Sequence, residues 1–182
     1  GLYNRIPNRV LCELVIANMR EISAPKYTEE EQKLAQEIAK TIPREQKREE
    51  LRKTKRPGWE KLVDVDLDDS ITDPWGEGEV SPGSTDVADV SWQTPTLEFE
   101  TTTHVLGTPG HSWQNTAQSA TSLGHKSLIF AAKIIATSVI DLLTRPDVLE
   151  KAREEFINRT QGRAYTPPIP SDLKPPLDAW TR

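Results

Sequence analysis

The sequence predicts an α/β fold, because it combines two kinds of apolar periodicity. Apolar residues at helical spacing run through residues 9–22, and a long segment rich in Ala, Ile and Leu covers 117–143. Two other segments, 63–67 and 97–105, alternate apolar or β-branched residues with polar ones, as half-buried strands do. Together these patterns predict an edge of β-sheet packed against helices.

The first 43 residues predict a pair of helices. Asn8 has the side chain of a helix cap, and the helix that follows it is expected to end before Pro25. Thr28 and Glu31 have the spacing of a capping box, which predicts the start of a second helix. We therefore take residues 1–43 as the first unit of the chain.

Residues 44–83 form a charged and acidic unit that we interpret as a surface excursion. Charged residues dominate 44–61, which we expect to be helical only in part. Aspartates then alternate with the apolar residues of 63–67, which predicts a short strand with an acidic outer face. The spacing of these aspartates lacks the glycine and the terminal glutamate of an EF-hand loop, so a calcium site is disfavoured.

Composition restricts the class of protein. The net charge of -5 argues against a dedicated nucleic-acid binder, which is usually basic. Cys12 is the sole cysteine, so no internal disulfide is possible and a reducing, cytoplasmic location is expected. No uninterrupted apolar run approaches the roughly 20 residues of a membrane span. The chain begins with Gly1 rather than methionine, and we expect it to be part of a longer polypeptide.

Two stretches in residues 84–182 carry the candidate site residues. Ser84, Thr85 and Asp86 precede a short apolar-periodic run, so a helix is expected to start there. The free N–H groups at the start of that helix could bind an anion, or Ser84 or Asp86 could simply cap the helix. His111 follows the turn-forming residues 107–110 at the end of the second alternating segment. A histidine there can be a metal ligand, a general base or an ordinary turn residue, and spacing alone leaves all three open.

Three motifs occur in an order that is more specific than any one of them: residues 84–92 (STDVADVSW), 107–114 (GTPGHSWQ) and 124–126 (GHK). Together they resemble the C-terminal part of dinuclear-metal amidohydrolases of the aminoacylase and carboxypeptidase G type, a family that includes enzymes acting on aminobenzoyl-glutamate. The resemblance covers most of the chain and is weakest over residues 44–80.

The resemblance implies the C-terminal portion of a phosphorylase/hydrolase-like zinc-peptidase catalytic domain. Such a domain has three layers around a mixed sheet, and this portion would be incomplete as a stand-alone domain. Residues 1–43 would follow a lid domain that this chain lacks, and residues 84–182 would belong to the catalytic domain itself.

The resemblance also implies the roles of site residues. The family binds two divalent metal ions, zinc or manganese, and its last metal ligand matches His111. Its other ligands and its paired glutamates, one of them the catalytic base, have no counterpart here, so no catalytic residue is expected in this chain. Ser84, Thr85 and Asp86 would shape the substrate pocket, while His104 and His125 would be structural.

The function implied is metal-dependent hydrolysis of an amide bond in an N-acyl or aminobenzoyl amino acid, such as aminobenzoyl-glutamate, or in a dipeptide. The chain alone is expected to be inactive. Its expected partners are the remainder of the catalytic domain with the lid, the small-molecule amide and a second copy of the complete protein, with no nucleic acid or membrane. The alternative is a binding or interaction module that keeps the scaffold without catalysis.

Overall fold

The computed structural model describes residues 3–79 and 83–177, and every regular element within them is a helix. The predicted α/β fold, with three layers and a mixed sheet, is therefore wrong for the described part of the chain. The elements are α1 (Arg9–Ile22), α2 (Glu29–Ala39), α3 (Arg44–Lys53), a 3₁₀ turn (Trp59–Leu62), α4 (Val87–Val90), α5 (Trp113–Ser119), α6 (Ser122–Thr144) and α7 (Pro146–Thr160).

Helices α1, α6 and α7 pack together, with one apolar cluster between α1 and α6, and a second cluster joins Ala35, Ile38 and Ile42 to Val105. Val15 of α1 meets Phe130 and Ile134 of α6 in a buried apolar cluster. One turn further along α1, the buried Asn18 Nδ2 donates to Ser138 Oγ at 3.0 Å and to Asp141 Oδ2 at 2.9 Å. A buried amide without a hydrogen-bond partner destabilises the folded state, so these bonds favour one register of α1 against α6.

The helix starts that local sequence signals predict are confirmed. Asn8 caps α1 by accepting a hydrogen bond from the N–H of Leu11 at 3.0 Å. Thr28 and Glu31 form the complete capping box of α2. Pro146 occupies the first turn of α7, where its missing N–H costs no helical hydrogen bond.

The segment 63–67 is a succession of turns rather than a strand. Alternation predicted a strand with an acidic outer face, but the aspartates here are held by basic side chains of α3 and the loop that follows it. The pairs are Asp64 with Arg44, Asp66 with Lys47 and Asp68 with Arg56. The backbone of 63–67 runs through turns and bends, and it forms no ladder with a neighbouring strand among the described residues.

The segment 97–105 has no regular secondary structure and is not part of a sheet. A strand requires a ladder of backbone hydrogen bonds to a neighbour. Here one backbone bond joins the two alternating regions, from the N–H of Leu106 to the carbonyl of Asp66 at 2.8 Å. The apolar side chains of the segment, Leu97 and Phe99, pack against the α1–α6 core instead.

The long helix predicted over residues 117–143 is two helices in the structure. The chain leaves α5 after Ser119 and becomes helical again at Ser122. Gly124 lies so close to the end of α5 that a Cβ atom would stand 2.3 Å from the carbonyl oxygen of Ser119. The tight junction therefore depends on a residue without a side chain.

Helix α6 is also less buried than its apolar sequence predicted. Only one side of it faces α1 and α7. Within the described residues, α6 is the one helix whose length and apolar composition suit a membrane span. Only 22% of its 18-residue apolar stretch is buried in the protein. Uninterrupted apolar runs in the sequence predicted no segment of this length, and α6 corrects that prediction.

Candidate functional site

The turn that precedes His111 depends on Gly107. Its φ of 82° lies in the left-handed region that favours glycine. A Cβ atom at this position would stand 2.5 Å from Cγ and 2.8 Å from Cα of Lys47. The turn thus rests directly on helix α3, and no larger residue fits without moving one of the two.

Gln118 of α5 holds the start of this turn. Its side chain is fully buried, and its Oε1 accepts from the N–H of Val105 at 2.7 Å. Its Nε2 donates to Thr108 Oγ1 at 3.2 Å, and that hydroxyl in turn donates to the carbonyl of Val105 at 2.7 Å. Sequence reasoning missed Gln118, because a polar residue in a short helix gives no local sign of burial.

The far side of the turn is held by the cap of α5. Ser112 Oγ accepts from the N–H of Asn115 at 3.2 Å and donates to the carbonyl of Pro109 at 2.7 Å. Asn115 Nδ2 donates to the carbonyl of Gly110. His111 therefore lies between Thr108, which Gln118 holds, and the cap residue Ser112. The side chain of His111 is exposed. Its ring makes no hydrogen bond to another described residue, which leaves both nitrogens free for a ligand.

Lys47 of α3 contacts the turn at Gly107 and is itself held by hydrogen bonds. Its side chain is 7% exposed, and its Nζ donates to the carbonyl of Val65 at 2.7 Å and to Asp66 Oδ1 at 3.1 Å. A buried ammonium is tolerated only when it is paired in this way. The charge-rich region 44–61 was expected to be a surface excursion, but Lys47 and Leu51 of α3 are both buried.

The described residues do not form a complete metal site by themselves. No group of three or more His, Cys, Asp or Glu side chains within 3–79 and 83–177 is arranged to hold a metal ion. A protein-bound zinc ion normally has three or four protein ligands. His111 fits the role of one ligand, because its imidazole is exposed and unpaired, and the other ligands would have to come from elsewhere.

The predicted substrate residues lie around a very short helix. Ser84, Thr85 and Asp86 are all exposed, and α4, which follows them, has four residues. Thr85 Oγ1 accepts from the N–H of Val87 at 3.3 Å, whereas neither Ser84 nor Asp86 caps the helix. So short a helix aligns few peptide dipoles, so its N-terminus alone attracts an anion weakly.

Residues 84–86 and His111 have different structural supports. The region of α4 is tied to the N-terminal segment: Ser91 Oγ accepts from the N–H of Ile6 at 2.8 Å, and Trp92 Nε1 donates to the carbonyl of Asn4 at 2.7 Å. His111 is supported by α3 and α5. Among the described residues, no hydrogen bond joins residues 84–86 to His111.

The other two histidines occupy contrasting positions. His104 Nε2 is buried without a hydrogen-bond partner among the described residues, and burial lowers the pKa of its imidazole. His125 is exposed and lines a shallow pocket of about 290 Å³ together with hydroxyl-bearing residues, among them Thr101, Thr103 and Ser127. Their expected structural roles remain predictions.

Comparison with known proteins provides independent support for the resemblance read from the motifs. Over 177 residues, 93% of this chain, the sequence is 27% identical to a curated protein of Escherichia coli (strain K12). The chain is similar to the B subunit of p-aminobenzoyl-glutamate hydrolase.

The chain spans 37% of the length of this hydrolase subunit, which is consistent with the C-terminal part that the motifs predicted. The name of the relative describes a hydrolase and one subunit of an assembly, so the predicted likeness to a hydrolase is confirmed. No protein-family model matches the chain, and no solved structure matches it.

Proposed function

We propose that this chain is the C-terminal part of a metal-dependent amidohydrolase. Its substrate would be an N-acyl or aminobenzoyl amino acid, of which aminobenzoyl-glutamate is the first candidate, or a dipeptide. The proposal rests on one observation, the similarity of 93% of the chain to the B subunit of p-aminobenzoyl-glutamate hydrolase.

His111 is the residue of this chain that we assign to metal binding. Its imidazole is exposed at an anchored turn with both nitrogens free, so one nitrogen can coordinate a metal while the other donates to an acceptor supplied by the rest of the protein. Two divalent ions, zinc or manganese, would polarise the scissile carbonyl and lower the pKa of bound water. The remaining ligands and the catalytic base would come from other parts of the protein.

Ser84, Thr85 and Asp86 are assigned to the substrate pocket. Their side chains are exposed, and the hydroxyl groups of Ser84 and Thr85 could donate hydrogen bonds to a substrate carboxylate. Asp86 would repel a carboxylate and is better suited to orient the other two or to accept from a substrate N–H. We expect the rest of the protein to complete the pocket in which this group and His111 would meet one substrate.

The partners that follow from this proposal are the remainder of the catalytic domain, the lid and a second copy of the complete protein in the cytoplasm. The similarity of the chain to a part of a named hydrolase subunit supports such partnership. The second candidate function is a non-catalytic interaction module, which is favoured by the absence of a metal-ligand group in residues 3–79 and 83–177.

The experiment uses the complete protein, meaning this chain together with the polypeptide that supplies the remainder. We expect His111→Ala to lose one metal equivalent and at least about 100-fold in hydrolysis of aminobenzoyl-glutamate, because an incomplete site cannot activate water. His125→Ala, which replaces another exposed histidine, is the matched control and should keep both. The 182-residue chain alone should bind no dinuclear centre and show no turnover.

Three results would contradict the proposal. Turnover by the 182-residue chain alone would show that the chain contains a complete site. Metal content and rate near wild type in His111→Ala would make His111 an ordinary turn residue. A complete protein that binds no metal and hydrolyses no amide would favour the interaction module.

A further inference from the structure

Helix α6 carries a broad apolar face that nothing in the described chain covers. Six large side chains on it are about half exposed or more: Leu128 (66%), Ile129 (55%), Ile135 (53%), Val139 (48%), Ile140 (59%) and Leu143 (78%). At about 100° per residue they span roughly 140° of the helix circumference. We call this set the open face of α6.

The open face has almost no polar interruption. Ala132 and Ala136 lie within it, while Lys133 falls at one margin and His125 at the N-terminal end. Its large side chains expose roughly 600 Å² by their fractional exposures, which is the upper end for a soluble monomer. A helix that is apolar on nearly all sides normally lies inside a protein core or a membrane.

The surface beside the open face favours a polypeptide over a membrane. Leu128 also lines a pocket together with Thr101 and Thr103 of the segment 97–105. Within the described residues, the N–H groups of residues 97–104 donate no hydrogen bond. Acyl chains cannot accept hydrogen bonds, so a lipid environment would leave these groups unsatisfied, whereas a polypeptide can pair them.

The other side of α6 also argues against a membrane-spanning helix. Asn18 of α1 bonds Ser138 and Asp141, and Lys126 Nζ donates to the buried Glu31 at 2.7 Å. Crossing a bilayer would break these contacts and leave polar groups in hydrocarbon. The open face is therefore suited to a partner that approaches from one side only.

We propose that the open face of α6 is a core surface, covered by the remainder of the hydrolase polypeptide. The inference rests on the proposed function, since this chain spans 37% of the similar hydrolase subunit, which leaves nearly two thirds of such a protein to supply the cover. The covering surface must be apolar, and Ala132 and Ala136 let it approach the α6 backbone closely. Lys133 would extend its ammonium past the margin of the contact to water.

The test is the chemical accessibility of cysteines on the open face, in a Cys12→Ser background that removes the native thiol. Leu128→Cys and Leu173→Cys form a matched pair, because both leucines are 66% exposed and Leu173 lies far along the chain in the C-terminal tail. Labelling by a soluble maleimide is measured in the 182-residue chain and in the complete protein. In the complete protein we expect the thiol at position 128 to react about 100-fold more slowly, and the thiol at position 173 to change much less.

The alternatives give different outcomes. Equal labelling of Leu128→Cys in both proteins, or equal slowing of both variants, would overturn the inference. So would protection that appears only with phosphatidylglycerol vesicles, which would assign the face to a membrane. Protection that disappears on dilution would assign it to a second copy, and a complete protein consisting of these 182 residues alone would remove the proposed occupant.

The inference and the proposed function can fail separately. A protected thiol in Leu128→Cys, in a complete protein that hydrolyses no amide, would keep the core surface and reject the hydrolase. An active hydrolase in which the same thiol reacts freely would support the proposed function and reject the core surface.

Discussion

Replacing Gly107 by alanine probes the support of the turn that carries His111. Two effects combine at this position. The left-handed φ of 82° costs a residue with a Cβ about 1 kcal/mol relative to glycine. The new Cβ would also stand within 3 Å of the backbone of α3 at Lys47, and overpacking of this kind typically costs about 1–3 kcal/mol. We therefore expect Gly107→Ala to lower the free energy of unfolding by about 2–4 kcal/mol.

Gly58→Ala separates the two effects. Gly58 has a similar φ of 75°, but no atom lies within 4 Å of the point that its Cβ would occupy, so only the backbone cost of about 1 kcal/mol applies. Urea unfolding followed by tryptophan fluorescence, at low protein concentration, measures both variants. Equal losses of stability in the two would refute the direct contact between the turn and α3.

Two further predictions concern pH. Burial acts to raise the pKa of Glu31, but hydrogen bonds from Lys126, the N–H of Thr28 and Ser122 outweigh it and the net shift is downward. Stability from Glu31 is thus present above its unfolded pKa of about 4.3 and is lost as pH falls through the lower folded value. Glu31→Gln should lower the free energy of unfolding by about 2 kcal/mol at pH 7 and flatten the acid limb of a stability–pH curve. An unchanged acid limb would contradict this. Burial lowers the pKa of His104, so its protonation opposes folding and stability should decline as pH falls below about 6.5. His104→Gln should remove that decline and His125→Gln, at an exposed ring, should retain it; equal curves for both variants would rule out His104 as the source.

Helix starts and stops could be predicted from the sequence because their causes act over three or four residues. Asn8, the Thr28–Glu31 pair and Pro146 each do in the structure what their local chemistry predicts. The motif around His111 likewise pointed to a hydrolase relative, because three short patterns in a fixed order carry information that does not depend on packing.

The strand predictions were wrong because alternation specifies which side of an extended chain is apolar, but not whether a neighbour supplies a ladder of hydrogen bonds. In the segment 97–105 the apolar side packs on helices and no ladder forms. In 63–67 the chain forms turns, and Asp64, Asp66 and the adjacent Asp68 pair with basic side chains of α3 and its loop rather than lining the outer face of a strand.

Only the tertiary structure revealed what holds the candidate site and what remains uncovered. Gln118 and Lys47 are polar residues in polar sequence, and their burial against the His111 turn results from long-range packing that no local pattern encodes. The sequence of α6 is apolar on nearly all sides, which shows that the helix prefers to be buried. The side of α6 that meets α1 is the side on which Ser138 and Asp141 pair the buried amide of Asn18, and such a long-range pairing cannot be read from local sequence.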